Sequence, residues 1–251
     1  MILFDKKMLD KYMEWDYIYK NLDKDCKYTS NIWLLNSEAK RAIYHYIYGD
    51  ILFDKKSKYV LDIGGGYTSI TEILRTNHNY FLCDIMAHDD INDTIKDFHI
   101  NKDWHDYNPK SIFDIVIAND LFPNVDQRLE MFLDKYLPIT KEIRLSLTYY
   151  NTPKYYKVKR TNADEILYFL AWNGEHLKNI LNKYVEFIEE PNLDILLNPT
   201  LSLFENGRQI CIVKLRNHLP TTVATSFCLG LDDGIHTFQE YLYLSECQSC
   251  L

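Results

Sequence analysis

The sequence has no apolar run approaching the roughly 18–20 residues that a membrane span needs, so a membrane protein is not expected. Its first residues, MILFDKKMLDKYMEWD, place charges where a signal peptide carries its apolar segment, so no export signal is expected either. A basic excess is also missing. Lys and Arg number 28 against 36 Asp and Glu, a net charge of −8, whereas nucleic-acid binders usually present a basic field because phosphate contacts dominate their affinity. A nucleic-acid partner is therefore not expected. Six cysteines at irregular positions do not suggest a disulfide framework, which points to a reduced, cytoplasmic protein. There is no internal repeat and no low-complexity linker. Gly and Pro are scarce, at 8 and 7 residues, and Lys far outnumbers Arg. That usage follows the codon bias of an AT-rich genome and bears little on function.

What remains is an ordinary globular balance, 47% hydrophobic and 25% charged, in 251 residues. The length suffices for one large α/β domain or two small ones. Residues 1–58 read as helical and rich in aromatics, with Ser37 a candidate N-cap for the segment containing Ala42, Ile43, Tyr46 and Ile47. Lys58 to Ile63 is a short apolar run entering three glycines, the pattern of a buried strand and a tight turn. A helix is expected from Thr68 to Arg75, and strands at Tyr80–Asp84, near Phe98–Lys102, at Phe113–Ala118 and at Ile143–Thr148. Helices are expected at Asp126–Tyr136 and, longer, at about Ala163–Tyr184. Two late strands, Thr200–Phe204 and Gln209–Leu215, flank Glu205-Asn206-Gly207-Arg208, and Asn-Gly between apolar runs is a strong hairpin signal. Strands alternating with helices predict a doubly wound, mostly parallel α/β sheet, to which the C-terminal antiparallel hairpin adds an edge.

The most informative stretch is Val60-Leu61-Asp62-Ile63-Gly64-Gly65-Gly66-Tyr67-Thr68-Ser69. Glycines between a strand and a helix let the backbone approach a ligand closely, with the helix N-terminus directed at it. Three details narrow the reading: Ser69 stands where a dinucleotide fingerprint has Gly or Ala, the strand carries an acid at Asp62, and Asp84 ends the next strand 20 residues after Gly64. A carboxylate at that last position can accept both hydroxyls of a ribose.

In these residues the chain resembles the class I S-adenosylmethionine-dependent methyltransferases over about 60–217. It departs from them at Thr68, where many members have a third glycine. The resemblance implies a seven-stranded sheet, S-adenosylmethionine as cofactor, an N-terminal cap over 1–58, a cofactor domain over 59–217 and an extension of unassigned role at 218–251. It implies that Gly64 and Gly66 line the cofactor, that Asp62 faces its methionine portion, and that Asp84 holds the ribose. It further places Asp103 and Trp104 at the adenine, and Asn119 and Asp120 beneath the sulfonium and methyl.

Ligands of open α/β sheets sit beyond the carboxyl ends of the strands, so the loops after the fourth and fifth strands should face the acceptor. The loop after the fourth strand lacks the Asn/Asp-Pro-Pro-aromatic motif of amino-methylating nucleic-acid enzymes. The loop Thr148–Arg160 holds four tyrosines and four cations in thirteen residues. Tyr150, Lys154, Lys157 and Arg160 are its candidate contacts for an anionic acceptor, phosphorylated or nucleotide-linked, through charge-assisted bonds and stacking. Candidate bases are Asp120, Tyr149, His176, His105 and Glu175. A base matters for a sugar hydroxyl and is unnecessary for an oxygen that is already ionised. His88, Asp89, Asp90, His99 and His105 match no familiar zinc spacing, and Cys247-x-x-Cys250 has no second pair nearby, so no metal is expected.

Segments 122–128 and 147–153 are also similar to those of bacterial surface-glycan methyltransferases, a group proposed to include enzymes acting on capsule phosphoramidates. The expected function is thus O-methylation of a small anionic or sugar-like acceptor, by a chain acting alone, as a homodimer or in a heteromer. Two alternatives stay open. One is a methyltransferase-like silent partner in a heteromer. The other is an NAD-dependent oxidoreductase, against which Asp62 and Ser69 speak.

Overall fold

The computed structural model describes residues 1–85, 89, 97–159, 166–198 and 201–217. Its centre is a seven-stranded sheet in the order β1-β9-β6-β5-β2-β3-β4. The strands are β1 (Ile2–Leu3), β2 (Tyr59–Ile63), β3 (Asn79–Cys83), β4 (His99–Ile100), β5 (Phe113–Asn119), β6 (Thr140–Tyr149) and β9 (Gln209–Arg216). β2 to β6 are parallel to one another, and β9 runs antiparallel to both β6 and β1. A separate ribbon pairs β7 (Lys154–Lys159) with β8 (Ile166–Ala171) in antiparallel register.

Strand alternation divides the interior into two cores. From β2 and β5, Leu61, Ile63, Val116 and Ala118 face one side, where α6 (Leu129–Tyr136) and α7 (Gly174–Asn182) supply Phe132, Leu133, Leu177 and Leu181. Val60, Ile115 and Ile117 face the other. There α1 (Lys6–Met13), α2 (Tyr17–Asn21), α3 (Thr29–Asn36), α4 (Glu38–Phe53) and α5 (Ser69–Asn77) cover the sheet with Ile18, Leu34, Ile47, Ile51 and Leu74. The sheet is therefore mostly parallel, with helices on both faces. Residues 1–58 share the second core with the strands instead of standing apart from it.

Helix starts follow their capping chemistry. Asp5, Ser37, Thr68 and Asn173 each accept a bond from the third residue onward, opening α1, α4, α5 and α7. α6 starts later than expected, at Leu129, because Asp126 spends its carboxylate on the Arg128 N–H and side chain rather than on a helical turn.

Two expectations fail. The long helix from Ala163 begins only at Gly174; Ile166–Ala171 is instead the strand β8, paired residue by residue with β7 from Lys154↔Ala171 to Lys159↔Ile166. A six-residue apolar run does not distinguish helix from strand by periodicity, and β7 supplied a ready partner. The late hairpin also fails. Leu201–Phe204 forms no strand, because the Ser202 hydroxyl bonds the Phe204 and Arg208 carbonyls and folds the segment into a compact loop. The outer partner of β9 is the N-terminal β1, through Ile2↔Ile212 and Leu3↔Cys211.

One ion pair made by a buried arginine fastens the helical layer to the sheet. Arg144 of β6, 2% exposed, donates to the Ile47 carbonyl and to both Asp50 oxygens on α4, and to Glu142. Arg144→Met should lower unfolding free energy by about 2 kcal/mol, since it leaves the Ile47 carbonyl and the Glu142 carboxylate without this charged donor, whereas the exposed Asp50 is rehydrated. Chemical denaturation checks this; a loss below about 1 kcal/mol would mean that apolar packing alone holds α4.

Candidate functional site

The chain winds outward from β2 to β3 and β4, then crosses to β5 on the other side of β2. Between β2 and β5 lies the switch point where open α/β sheets form their ligand crevice. A cavity of about 510 Å³ opens there, lined by Gly64, Gly65, Gly66, Asp84, Asp103, Trp104, Asn119 and Asp120 among others. The size is ordinary for a small-molecule site, for which about 300–1,000 Å³ is typical.

Gly64 and Gly66 both have φ of +66°, a backbone state that favours glycine. A Cβ on Gly66 would fall 1.9 Å from the Ser30 hydroxyl of α3. The Gly66 N–H donates to the Asp84 carboxylate at 2.9 Å, so the turn and the end of β3 are tied together at the cavity wall. Thr68, the departure from the three-glycine pattern, turns its hydroxyl onto the Thr71 N–H as the cap of α5. Ser69 bonds Asn31 through both its N–H and its hydroxyl, and the Asn31 amide in turn donates to the Asp23 carbonyl. The N-terminal helices are thus latched to the glycine turn itself.

Asp62 does not line the cavity. Alternation turns it to the α4 side, where it is 2% exposed and takes hydrogen bonds from the Tyr48 hydroxyl at 2.8 Å and the Tyr80 hydroxyl at 2.7 Å. Both bonds go to Oδ2, and Oδ1 has no partner. The carboxylate packs directly under the turn, since a Cβ on Gly65 would lie 2.5 Å from Oδ1. Burial raises its pKa to about 7, against the pull of the two tyrosine bonds.

On the cavity wall after β4, Asp103 accepts from Arg128 Nη2 at 2.8 Å and from the His105 N–H at 2.8 Å. Arg128 also binds Asp126 and lies over the Trp104 ring at 4.6 Å, while the indole N–H donates to Asp126 at 2.8 Å. Burial disfavours the charged form of Asp103, yet Arg128 and the His105 amide hold its pKa below the usual carboxylate range.

A second cluster on the cavity wall is built around Asp120, which has a positive φ of 57° after β5. Lys40 from α4 reaches Oδ2 at 3.0 Å, and Arg208 reaches Oδ1 and Oδ2 at 3.1 and 3.2 Å. Thr148 and Asn124 also donate to Oδ1. Although burial works against it, the two cations hold Asp120 at a pKa of about 2. Its neighbour Asn119 accepts from the Ser146 hydroxyl at 2.6 Å, and the Asp120 N–H donates to that same oxygen at 2.7 Å.

The structure therefore gathers Gly64, Gly66, Asp84, Asp103, Trp104, Asn119 and Asp120 at one cavity. Other candidates fall elsewhere. Tyr149 lies on the α6–α7 side of β6, because alternation sends Ser146 and Thr148 toward the cavity and Leu147 and Tyr149 away from it. Its hydroxyl is buried without a partner, and burial raises its pKa. His176 is exposed in the first turn of α7, against Trp172, with Glu175 exposed beside it. Tyr150 is buried and does not line the cavity, and Lys157 is exposed on the ribbon. Lys154 lies on β7 with its side chain outside the described residues, as does the whole of Arg160. His88, Asp90, Cys247 and Cys250 are also outside them, and among the described residues no group of three His, Cys, Asp or Glu side chains could hold a metal ion. No helix among them is long and apolar enough to cross a membrane.

Sequence reasoning missed Lys40, Asp126, Arg128, Ser146 and Arg208. Only the loop positions of Asp126, Arg128 and Arg208 offered a hint. Arg208 reaches the site because β9 runs antiparallel, which puts its beginning at the edge where the parallel strands end.

No family model matches the sequence, and no curated protein matches it. Among solved structures the chain is similar to magnesium protoporphyrin IX methyltransferase from Synechocystis with bound S-adenosylhomocysteine, at 11% identity over 85% of this chain and 96% of that one, TM-score 0.47. It is similar to the N-methyltransferase NodS of Bradyrhizobium japonicum in complex with S-adenosylhomocysteine, at 10% identity over 84% and 97%, TM-score 0.45. A third is an S-adenosylmethionine-dependent methyltransferase from Clostridium acetobutylicum, at 14% identity over 82% and 100%, TM-score 0.41.

The buried Asp62 links stability to pH. With its folded pKa at about 7, the native protein keeps a proton that the unfolded chain releases above about pH 4. Its contribution to stability therefore falls as pH rises through that window and is flat above it. Asp62→Asn should gain relative to the parent protein by up to about 4 kcal/mol between pH 4 and 8 in urea unfolding. A difference independent of pH would contradict the buried acid.

Proposed function

We propose that this chain is an S-adenosylmethionine-dependent methyltransferase acting on a small molecule. More finely, we read it as an O-methyltransferase whose acceptor is anionic, phosphorylated or nucleotide-linked, or sugar-like, with the phosphoramidate groups and sugars of a bacterial capsule as candidates. The observation that carries the reading is the convergence of the Gly64–Gly66 turn, Asp84, Asp103 and Asn119 on one cavity at the β2/β5 switch point. Residues 59–217 would hold the cofactor and 1–58 would cap it, in a cytoplasmic protein acting alone, as a homodimer or in a heteromer.

The residues present fit such a cofactor. The positive-φ glycines leave the turn without side chains on the cavity wall, and Asp84, which accepts from the Gly66 N–H and lines the cavity, would hold the ribose hydroxyls. Asp103 and Trp104 would meet the adenine, their positions fixed by Arg128 and Asp126. Asn119, oriented by Ser146, would face the reacting end. When bound, the cofactor supplies an activated sulfonium methyl, so the protein's main task is alignment.

Asp120 is a poor base. A carboxylate held at about 2 by two cations has little proton affinity at neutral pH. Among the described residues no histidine lines the cavity. These groups favour an acceptor oxygen that is ionised before it binds, over a sugar hydroxyl that must lose its proton to the protein.

Calorimetric titration should show micromolar binding of S-adenosylhomocysteine and none of NADH. Binding of NADH alone, or of neither, would overturn the reading. Asp84→Ala should weaken S-adenosylhomocysteine by about 1–3 kcal/mol, the cost of leaving ribose hydroxyls without a charged acceptor. Unchanged affinity would remove the ribose assignment.

A further inference from the structure

Two charge clusters line the cavity, and they have opposite signs. Asp103, Asp126 and Arg128 sum to −1. Lys40, Asp120 and Arg208 sum to +1. The second cluster is also incompletely satisfied. Arg208 is 7% exposed, and its Nη1 is spent on Asp120, but its buried Nε–H has no hydrogen-bond partner. Its guanidinium lies on the Phe204 ring at 3.8 Å, which fixes the plane of the group. A buried, unpartnered donor on a charged group is costly and calls for an explanation. A guanidinium edge that presents Nε with Nη2 can form paired bonds with a carboxylate or phosphate, and here Nη1 is the nitrogen bonded to Asp120.

We propose that Arg208 and Lys40 form a binding site for an oxyanion, carboxylate or phosphate, carried by the acceptor, with Asp120 as the internal counter-ion that holds the two cations in place before the acceptor arrives. Assignment of the anion to the acceptor rests on the methyltransferase reading; the existence of the anion site does not. Asp120 is joined by the chain to Asn119 and through Ser146 to its side chain, so an anion here sits beside the residue placed at the reacting end. The basic ribbon at Lys157 is not needed to explain an anionic acceptor. Among the described residues four cations line the cavity, Lys40, Lys102, Arg128 and Arg208, and the two that meet on Asp120 come from α4 and from the loop before β9.

The test is titration of inorganic phosphate, and separately of acetate, into the full-length protein with and without saturating S-adenosylhomocysteine. At least one of the two anions should bind in both conditions, and Arg208→Met should weaken it by about tenfold or more while S-adenosylhomocysteine affinity stays within about threefold. Lys40→Gln, at a side chain more exposed than Arg208, should weaken the anion by a smaller factor, and Asp120→Asn should tighten it by removing the competing carboxylate. The proposal is overturned if neither anion binds. It is also overturned if Arg208→Met and Asp120→Asn leave anion affinity unchanged, or if Arg208→Met instead costs S-adenosylhomocysteine tenfold. If S-adenosylhomocysteine does not bind the parent protein but the anion still depends on Arg208, the cofactor reading fails and the anion site stands.

Discussion

Below the glycine turn, two tyrosine hydroxyls meet on a single carboxylate oxygen. Asp62, one residue before the end of β2, faces a layer of helices and is 2% exposed, and Tyr48 of α4 and Tyr80 of β3 supply its hydrogen bonds. That arrangement ties three elements at one point. It fixes the register of α4 against β2 and β3, and α4 carries Lys40 at its start and Asp50 near its end. The Gly65 backbone rests directly on the carboxylate, so the height of the turn above the sheet is set by a buried acid. Neither the cavity wall nor the cation at its rim would be where it is without this contact.

Polar groups elsewhere obey the same economy of paired partners. Arg144 on β6 pairs with Glu142 of its own strand, and α4 supplies the rest of its partners, Asp50 and the Ile47 carbonyl. Asp120 would be an isolated charge beyond β5 without Lys40 and Arg208. In each case the helical layer built from the first 58 residues provides one of the charged partners, Asp50 for Arg144 and Lys40 for Asp120. The layer is therefore part of the sheet's electrostatics as well as a cover for its apolar face, and the cavity inherits one of its cations from it.

The parts of the site that were legible in the sequence are those made by local strand–turn–helix units. The apolar run 60–63, three glycines, and acids or amides ending successive strands at Asp84 and Asn119 all announce themselves within a few residues, because strand ends share one edge of a parallel sheet. What escaped were contacts made across the fold. Lys40 meets Asp120 over 80 positions, and Arg208 meets it over 88. Nothing near Arg208 marks it apart from a turn that looked like a hairpin. Tyr149 failed as a candidate for a simpler reason: a residue at a strand end faces one side or the other, and one step along β6 decides between the cavity and the core. The ribbon strand β8 was misread because six apolar residues in a row carry neither the helical nor the strand period.

Both margins of the main sheet are formed by strands of only two residues, Ile2–Leu3 on one side and His99–Ile100 on the other. A long open edge is a template on which another strand can add its own hydrogen bonds, and short edges are one way proteins avoid uncontrolled association. Here the longer strands β9 and β3, which would otherwise be exposed, are each shielded by such a fragment. Among the described residues the main sheet thus leaves little open edge on which a second copy could extend it.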